Sequence, residues 1–484
     1  NRLTGTRAAT RTGCNSTSAV QVRSAWTRRA GRTLRGANSL TGMSLETSAS
    51  NGNTTESVSG GTEESTVVGV TGQRWRANVS PWGSVTPWAQ PDGAVERIDW
   101  HIAADDRWHT PASEAAVRQV RLAGAPVTET RVRIPDGDAV QRVWSVADRG
   151  GLTIIEIEND SPLPFAVALS GLPVLTERPP ADMPLQGIEL PAGAITLPIA
   201  HRTSIRVAIA HGPIPDAVDR HAANLRALPG ADVVSRGWVT LAERASRLDL
   251  PDDGLADAVV AARCDLMLTG PINATQDPIG FILDVNELVR CGEEAEPWMY
   301  EIGEPLEVIA RSGDAFVPAA IAAAHHIAVV AGDRRATRDI ARLAKRVGDA
   351  ARPKTGPFSE IVRGASVGRF VHEVERRLAD GSNLLPIGIP TRWLGANFEL
   401  HGVPTSASST VSFAVRWHGE RPAVLWEQTG EAQRLSASAV DADWSSSEQT
   451  GESLWAAPAK PATPRSLSLT ADNGLASQTS TSFT

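Results

Sequence analysis

Two glutamates in a short segment between prolines are the candidate catalytic residues of this chain. Glu301 and Glu304 stand in Pro297-Trp-Met-Tyr-Glu-Ile-Gly-Glu-Pro305, beside Trp298 and the single tyrosine, Tyr300. Two carboxyl groups can supply a general acid and a general base, and Trp298 is a candidate substrate-binding residue. The segment is predicted to be a loop, and loops on a rigid scaffold often carry function. An exposed acidic connection is the alternative interpretation.

A second stretch, Trp82 to His109, is dense in tryptophan and in polar side chains. Its candidate ligand-binding residues are four indoles and two aspartates: Trp82, Trp88, Trp100, Trp108, Asp105 and Asp106. Indole faces can stack on the C–H-rich faces of sugar rings, and carboxylates can accept hydrogen bonds from hydroxyl groups. The stretch indicates either a sugar-binding platform or a sheet edge whose tryptophans pack against helices.

The other acidic residues have simpler explanations. Asp252, Asp253 and Asp314 each precede a predicted helix, where an aspartate caps free N–H groups. Asp284 and Glu287 are three residues apart on the polar arc of another predicted helix. This arc is typical of a solvent-facing surface.

No metal site and no cofactor is predicted. His325 and His326 point about 100° apart on a helix, so they cannot share a metal ion in the H-x-x-x-H manner. Cys291 has no identifiable His-Asn or His-Asp partner, so a buried thiol is expected. Nucleotide binding is unsupported, because no GxGxxG or P-loop pattern lies between a strand and a helix.

The helices that must position these residues are predicted between residues 213 and 383. Two pairs stand out, each an apolar helix followed by an amphipathic one: Leu255–Leu268 with Phe281–Arg290, and Ala319–Val330 with Arg334–Val347. A helix that is apolar on all sides must be surrounded, and a two-faced helix can surround it. We therefore expect the two apolar helices to lie side by side. Further helices are predicted at Asp216–Leu228, Arg236–Ala245 and Ser366–Ala379.

Short strands are predicted on both sides of the helices. Residues 66–212 contain alternating runs at Thr128–Ile134, Ala139–Val146, Leu152–Glu158, Phe165–Leu169, Ala194–Ile199 and Thr203–Ile209. Strands this short, separated by Gly, Asp and Pro, are typical of an antiparallel β-sandwich. Residues 384–429 hold a predicted hairpin of Thr410–Trp417 and Ala423–Glu427.

Both ends of the chain are predicted to be unstructured. Residues 1–65 and 430–484 are rich in small polar residues and lack a hydrophobic period. Residues 1–42 contain eight arginines and no acidic residue, and the first methionine is Met43. This leader is either a transit peptide or, as we prefer, translated upstream sequence with Met43 as the true start.

Composition narrows the class of partner. The 484 residues carry a formal net charge of −8, and without the first 42 residues the charge is −16. Such an acidic body is a poor nucleic-acid binder. No apolar run reaches the length of a membrane span, and three cysteines do not form a disulfide framework. We expect a cytoplasmic protein with no nucleic-acid or membrane partner, and the oligomeric state is open.

The order of sandwich, helical hairpins and closing β-hairpin resembles the six-hairpin glycosidase superfamily. Arg247-Leu-Asp-Leu-Pro-Asp-Asp-Gly-Leu255 is similar to the entry to the first toroid helix, and Glu287-Leu-Val-Arg-Cys-Gly292 to the end of an outer helix. The segment from Val415 to Glu427 resembles the C-terminal β cap of some members. The resemblance implies an α+β multidomain fold with a partial α/α toroid, because residues 216–380 have room for about seven to nine helices rather than about twelve.

The resemblance also implies chemistry on carbohydrates. Inverting members use a carboxylic acid to protonate the leaving oxygen and a carboxylate to activate water, about 6.5–9.5 Å apart. Glu301 and Glu304 would then be these residues, and a carbohydrate would be the ligand. The alternative is a non-catalytic carbohydrate- or protein-binding or scaffolding protein that has lost the paired acids.

Overall fold

Strands precede and follow a helical segment, so the predicted mixed α+β class is confirmed. The computed structural model describes residues 65–88, 96–105, 107–181, 193–214, 219–347 and 355–458. The predicted leader up to residue 64 and the tail from residue 459 lie outside the described residues. No helix within the described ranges is long and apolar enough to cross a membrane.

Thirteen strands are described between residues 66 and 210. They are β1 (Thr66–Gly69), β2 (Arg76–Val79), β3 (Val85–Pro87), β4 (Asp99–Ala104), β5 (Arg107–His109), β6 (Val117–Arg121), β7 (Thr128–Ile134), β8 (Gly137–Val146), β9 (Leu152–Asp160), β10 (Phe165–Ser170), β11 (Leu175–Thr176), β12 (Ile195–Ile199) and β13 (Ser204–Ala210). The six alternating runs are therefore strands, as predicted.

These strands form three antiparallel sheets, with orders β1-β2-β3, β12-β10-β4-β5 and β11-β13-β9-β8-β7-β6. Alternation fixes the register, because each strand must turn its apolar side chains to one face. Trp100 and Val167 of the four-stranded sheet share one hydrophobic core with Val143 and Ile155 of the six-stranded sheet. The second face of the six-stranded sheet meets the helices, where Trp144 packs in one cluster with Trp238.

The helices are α1 (Ala231–Ala242), α2 (Asp253–Thr269), α3 (Pro278–Arg290), α4 (Trp298–Glu301), α5 (Gly303–Ile309), α6 (Val317–Val330), α7 (Arg334–Val347) and α8 (Val367–Leu378). Both predicted helix pairs are confirmed. Two local predictions are wrong. Residues 219–228 are turns rather than helix, and the segment that carries Glu301 and Glu304 is helical rather than a loop.

The central helix is α3, which packs against α2, α5, α6 and α8. The two apolar helices therefore do not pair as expected. Helix α2 is apolar on almost every side because it contributes to three hydrophobic cores. Ala262 lies in the first core, Leu266 in the second and Leu268 in the third. Helix α6 instead lies in a single core with α3 and is covered by α7.

The C-terminal part contains more structure than the sequence predicted. Its strands, with the one before α2, are β14 (Arg247–Asp249), β15 (Ala379–Asp380), β16 (Asn383–Leu384), β17 (Phe398–Pro404), β18 (Thr410–His418), β19 (Arg421–Thr429), β20 (Leu435–Ala437), β21 (Asp441–Ser446) and β22 (Thr450–Leu454). They form sheets of order β14-β17-β18-β19-β22 and β15-β16-β20-β21. The prediction that the chain is unstructured from residue 430 onward is wrong up to residue 458, because these residues are described and include β20 to β22. Trp455 is fully buried and packs edge-on against Trp444, and this contact anchors the polar segment.

Candidate functional site

A cavity of about 620 Å³ lies where α3, α6 and α8 meet the connection between β17 and β18. Helix α6 gives it a wall of small apolar side chains, including Pro318, Ala319, Ala322 and Ala323. Helices α3 and α8 give it polar side chains, spaced three or four residues apart on one face of each helix. They are Asn286, Glu287 and Arg290 from α3, and His372, Glu375 and Arg376 from α8. An apolar wall opposite a few convergent polar groups is typical of a small-molecule site.

Two arginines and two glutamates form a charge cluster on the polar side of this cavity. Arg263 donates from Nε to Glu287 (3.1 Å) and from Nη2 to Glu375 (3.0 Å). Arg290 donates to Glu287, and to Glu375 from Nη1 (2.9 Å) and Nη2 (2.7 Å). The Ser246 hydroxyl donates to Glu375 Oε1 (2.6 Å). All four charged side chains are at most 8% exposed, and their formal charges cancel.

The charge cluster holds the Glu375 carboxylate ionised. Burial alone would raise the pKa of Glu375, but Arg290 and Arg263 together lower that pKa below its ordinary value. Burial opposes the charge on Arg290, yet Glu287 and Glu375 raise its pKa. A general acid must be protonated at the working pH, so the Glu375 carboxyl is poorly suited to that role.

Asn286 and His326 form a neutral pair between α3 and α6. His326 Nδ1 lies 2.8 Å from Asn286 Oδ1. Burial, and then the charge of Arg290, lower the pKa of His326, so its ring is neutral near pH 7. Because an amide oxygen can only accept, Nδ1 carries the ring proton. The Asn286 amide can still donate through Nδ2, and the ring can still accept through Nε2.

The prediction that the polar arc of α3 faces solvent is wrong. Asp284 is 1% exposed and Glu287 is 3% exposed. Asp284 Oδ1 accepts hydrogen bonds from the Gly368 N–H (2.7 Å) and the Ser366 hydroxyl (2.9 Å) at the start of α8. Helix α8 can approach this closely because position 368 has no Cβ: a Cβ there would lie 2.3 Å from the Leu283 carbonyl carbon. The polar arc of α3 is therefore a helix–helix interface.

Glu301 and Glu304 lie apart from this cavity. Glu301 ends α4 and Glu304 is in the first turn of α5, and both residues are exposed. Burial nevertheless raises the pKa of Glu301. Trp298 is 8% exposed and packs edge-on against Phe281 in the helical core. The structure thus does not bring these three residues into one pocket with the charge cluster.

The predicted tryptophan platform divides into buried and accessible side chains. Trp100 is 1% exposed, and its Nε1 donates to the Trp82 carbonyl (2.9 Å), so it packs rather than presents a face. Trp82 is half-buried and donates to Ser84. Trp88 is 42% exposed and donates to Asn78, and Trp108 is half-buried on β5. Binding by these indoles stays a prediction.

Asp105, one of the two aspartates of the same stretch, lies at the hairpin between β4 and β5. Asp105 is exposed and has a φ of +54°, a left-handed conformation that Asp tolerates in turns. This conformation accounts for an aspartate here without a ligand. Asp106 lies outside the described residues.

One group of potential metal ligands occurs among the described residues. Asp249, Glu399 and His401, on β14 and β17, offer ligand atoms within 4.8 Å of one another. Arg247 bridges Asp249 and Glu399, and Arg416 also pairs with Glu399. These guanidinium groups already balance the carboxylates, so the group is explained as an ion-pair network at a sheet edge.

The polar side chains of the cavity were not predicted from sequence as a site. One signal pointed to them: Arg263 is a lone arginine in a predicted helix that is apolar on almost every side. A buried arginine requires acidic partners, and Glu287 on the next helix is one of them.

Comparison with known proteins does not assign the chain to a family. No protein-family model matches the chain, and no curated protein sequence matches it.

Proposed function

We propose that the protein binds a small carbohydrate in the cavity between α3, α6 and α8 without hydrolysing it. The observation that carries this proposal is the charge cluster. Among the residues that the structure describes, three carboxylates line the cavity, and each lies beside an arginine: Glu287 and Glu375 in the charge cluster, and Asp380, whose Oδ2 is 3.6 Å from Arg376 Nε. Arg290 and Arg263 lower the pKa of Glu375 despite its burial, so this carboxyl is poorly suited to protonate a leaving oxygen.

The remaining polar groups fit hydroxyl groups. A sugar hydroxyl both donates and accepts, and the Asn286–His326 pair retains a donor at Asn286 Nδ2 and an acceptor at His326 Nε2. The α6 wall, with Pro318 and Ala322, can pack against the C–H groups of a ring. A volume of about 620 Å³ lies within the range of small-molecule sites.

The proposal includes a finer description of the fold. The core shared by the four- and six-stranded sheets supports a β-sandwich, and the succession α2–α3 and α6–α7 supports helical hairpins in a partial toroid. Both would fit a shortened relative of the six-hairpin glycosidases. The loss of the paired acids would explain why such a chain binds but does not cleave.

Inverting glycoside hydrolysis is the second candidate, and one observation favours it. The raised pKa of Glu301 is a property that a general acid needs. Against it, Glu301 and Glu304 are exposed and neither lines the cavity.

Isothermal titration calorimetry of the full chain against a panel of mono- and oligosaccharides tests the proposal. We expect binding of at least one saccharide, and Asn286→Ala or His326→Ala should weaken it about tenfold, because each removes one net hydrogen bond. Glu304→Gln is the matched surface control and should leave affinity unchanged. The same samples are assayed for released reducing sugar. Turnover that Glu301→Gln or Glu304→Gln abolishes would establish the hydrolase instead, and absence of any binding contradicts both candidates.

A further inference from the structure

A second histidine, His372 on α8, lines the same cavity as the Asn286–His326 pair. Its side chain is half-buried. Within the described part of the chain the ring of His372 makes no hydrogen bond, and both of its nitrogens remain accessible. Polar groups in the interior are ordinarily paired. Because a neutral imidazole carries one donor and one acceptor, His372 offers both to an occupant of the cavity.

An aromatic contact, rather than a hydrogen bond, orients the ring of His372. Phe316, just before α6, packs edge-to-face against it, with ring centroids 6.2 Å apart and an interplanar angle of 65°. The Arg369 guanidinium lies 4.8 Å from the centre of the Phe316 ring, and Arg369 donates to Asp277 from Nε (3.0 Å) and Nη2 (2.8 Å). A side chain fixed in this way loses little rotamer freedom when a ligand binds.

Both cavity histidines are uncharged near pH 7. Burial lowers the pKa of His372 and that of His326. The charged groups around the two rings are Glu287 and Arg290 on α3, Glu373, Glu375 and Arg376 on α8, and Asp380 on β15. Each of these groups is paired with an opposite charge from the same set.

This arrangement suits an uncharged ligand. A charged ligand group that leaves water needs an unpaired opposite charge as its partner, whereas the described polar wall offers paired charges and two neutral imidazoles. A bound metal ion is poorly supported, because among the described residues neither histidine belongs to a group of three potential metal ligands.

We infer that His372 binds a second hydroxyl group of the ligand, and that this ligand is an uncharged saccharide. The inference rests on the carbohydrate binding proposed above. His326 reaches the cavity from α6 and His372 from α8, and both helices pack against α3. A sugar carries several hydroxyl groups, each able to donate and to accept, so one ligand can pair with imidazoles on two walls. His372 thereby selects saccharides whose hydroxyl groups reach both histidines.

Isothermal titration calorimetry of the full chain at pH 7.5 tests this role. The probes are glucose, galactose, mannose, maltose and cellobiose, with glucuronate and glucosamine as charged counterparts. His372→Ala should weaken binding of the best neutral probe about tenfold, because one net hydrogen bond is lost. His372→Gln should stay within about threefold of the wild type, since glutamine keeps a donor and an acceptor. The matched control is His325→Ala, which should leave affinity unchanged, because His325 is on α6 but does not line the cavity.

The pH dependence of affinity separates ligand binding from a structural role. A saccharide in the cavity excludes water from both imidazoles and so disfavours their charged forms. Wild-type affinity should therefore fall at least about threefold between pH 7.5 and pH 5. His372→Gln removes one of the two titrating groups and should flatten this profile. A structural defect alone would lower affinity equally at both pH values.

Three results would overturn the inference and leave the proposed carbohydrate binding in place. One is a His372→Ala variant that binds as tightly as the wild type. Another is a pH profile of His372→Gln that matches the wild-type profile. The third is tighter binding of glucuronate or glucosamine than of every neutral probe. Absence of saccharide binding by the wild-type chain would instead contradict the proposed function, and the inference with it.

Discussion

Replacing Glu375 by glutamine tests whether the charge cluster holds the helical core together. The change keeps the size of the side chain but removes one of two buried negative charges, so Arg263 and Arg290 are left with Glu287 alone. Glu375 is 5% exposed and accepts four hydrogen bonds shorter than or equal to 3.0 Å from Arg263, Arg290 and Ser246. Removing one partner of a buried ion pair costs about 3–5 kcal/mol. Because the glutamine oxygen still accepts, we expect a loss near the lower limit, about 3 kcal/mol.

Urea unfolding followed by circular dichroism at pH 7 measures this loss. The control is Asp232→Asn, which removes a carboxylate from the Asp232–Arg236 pair of α1, where both side chains are about 70% exposed. An exposed pair of this kind contributes about 0–1 kcal/mol. The reasoning is refuted if Glu375→Gln lowers the free energy of unfolding no more than the control does.

The same variant predicts the pH dependence of stability. The pKa of Glu375 is lower in the folded than in the unfolded chain, so its contribution is full above the unfolded value of about 4.3. The contribution disappears as the pH falls from there through the folded pKa, because the unfolded state then binds more protons. Wild-type stability should therefore converge on that of Glu375→Gln below pH 4. Parallel pH profiles for the two proteins would contradict this account.

Two further predictions address the helix contact and the thiols. Gly368→Ala should destabilise the protein by about 1–3 kcal/mol, since the new Cβ would lie 2.3 Å from the Leu283 carbonyl carbon. The control in the same urea assay is Gly364→Ala, because a Cβ at position 364 meets nothing within 4 Å. Equal unfolding midpoints for the two variants would contradict the prediction. Burial raises the pKa of both Cys264 and Cys291 to about 12. Alkylation at pH 8 should therefore modify these thiols about 10³-fold more slowly in the native protein than in urea. Peptide mapping of the alkylated protein measures both rates. Comparable rates at either position would show that the thiol is accessible.

Strong local periodicity was sufficient to predict the regular elements. β7 to β9 follow from alternating side chains that must fill a core on each face, and α6 and α7 follow from a period of 3.6 residues. Both signals depend on neighbours along the chain. Where the signal was weak, prediction failed: β20 to β22 are short and polar, and they are held by Trp444, which packs edge-on against both Trp426 and the buried Trp455.

The residues that line the cavity were not predicted from the sequence as a site, because they come from distant segments. The polar arc of α3 is suited equally to water and to a polar partner, and only the docking of α8 decides between them. Arg290 and Glu375 meet across 85 residues of sequence. Conversely, Glu301 and Glu304 are close in sequence but lie on two separate short helices outside the cavity.

The sequence by itself determined the strongly periodic elements, the mixed α+β class and the excess of negative charge on the chain beyond the leader, because each depends on composition or on local period. Tertiary structure alone decided which polar residues are buried. The Glu375 carboxylate stays ionised in the interior because guanidinium groups from two other helices surround it, and no local pattern specifies that arrangement. The cavity likewise depends on tertiary structure, because it lies where three helices and a β-connection from distant parts of the chain converge.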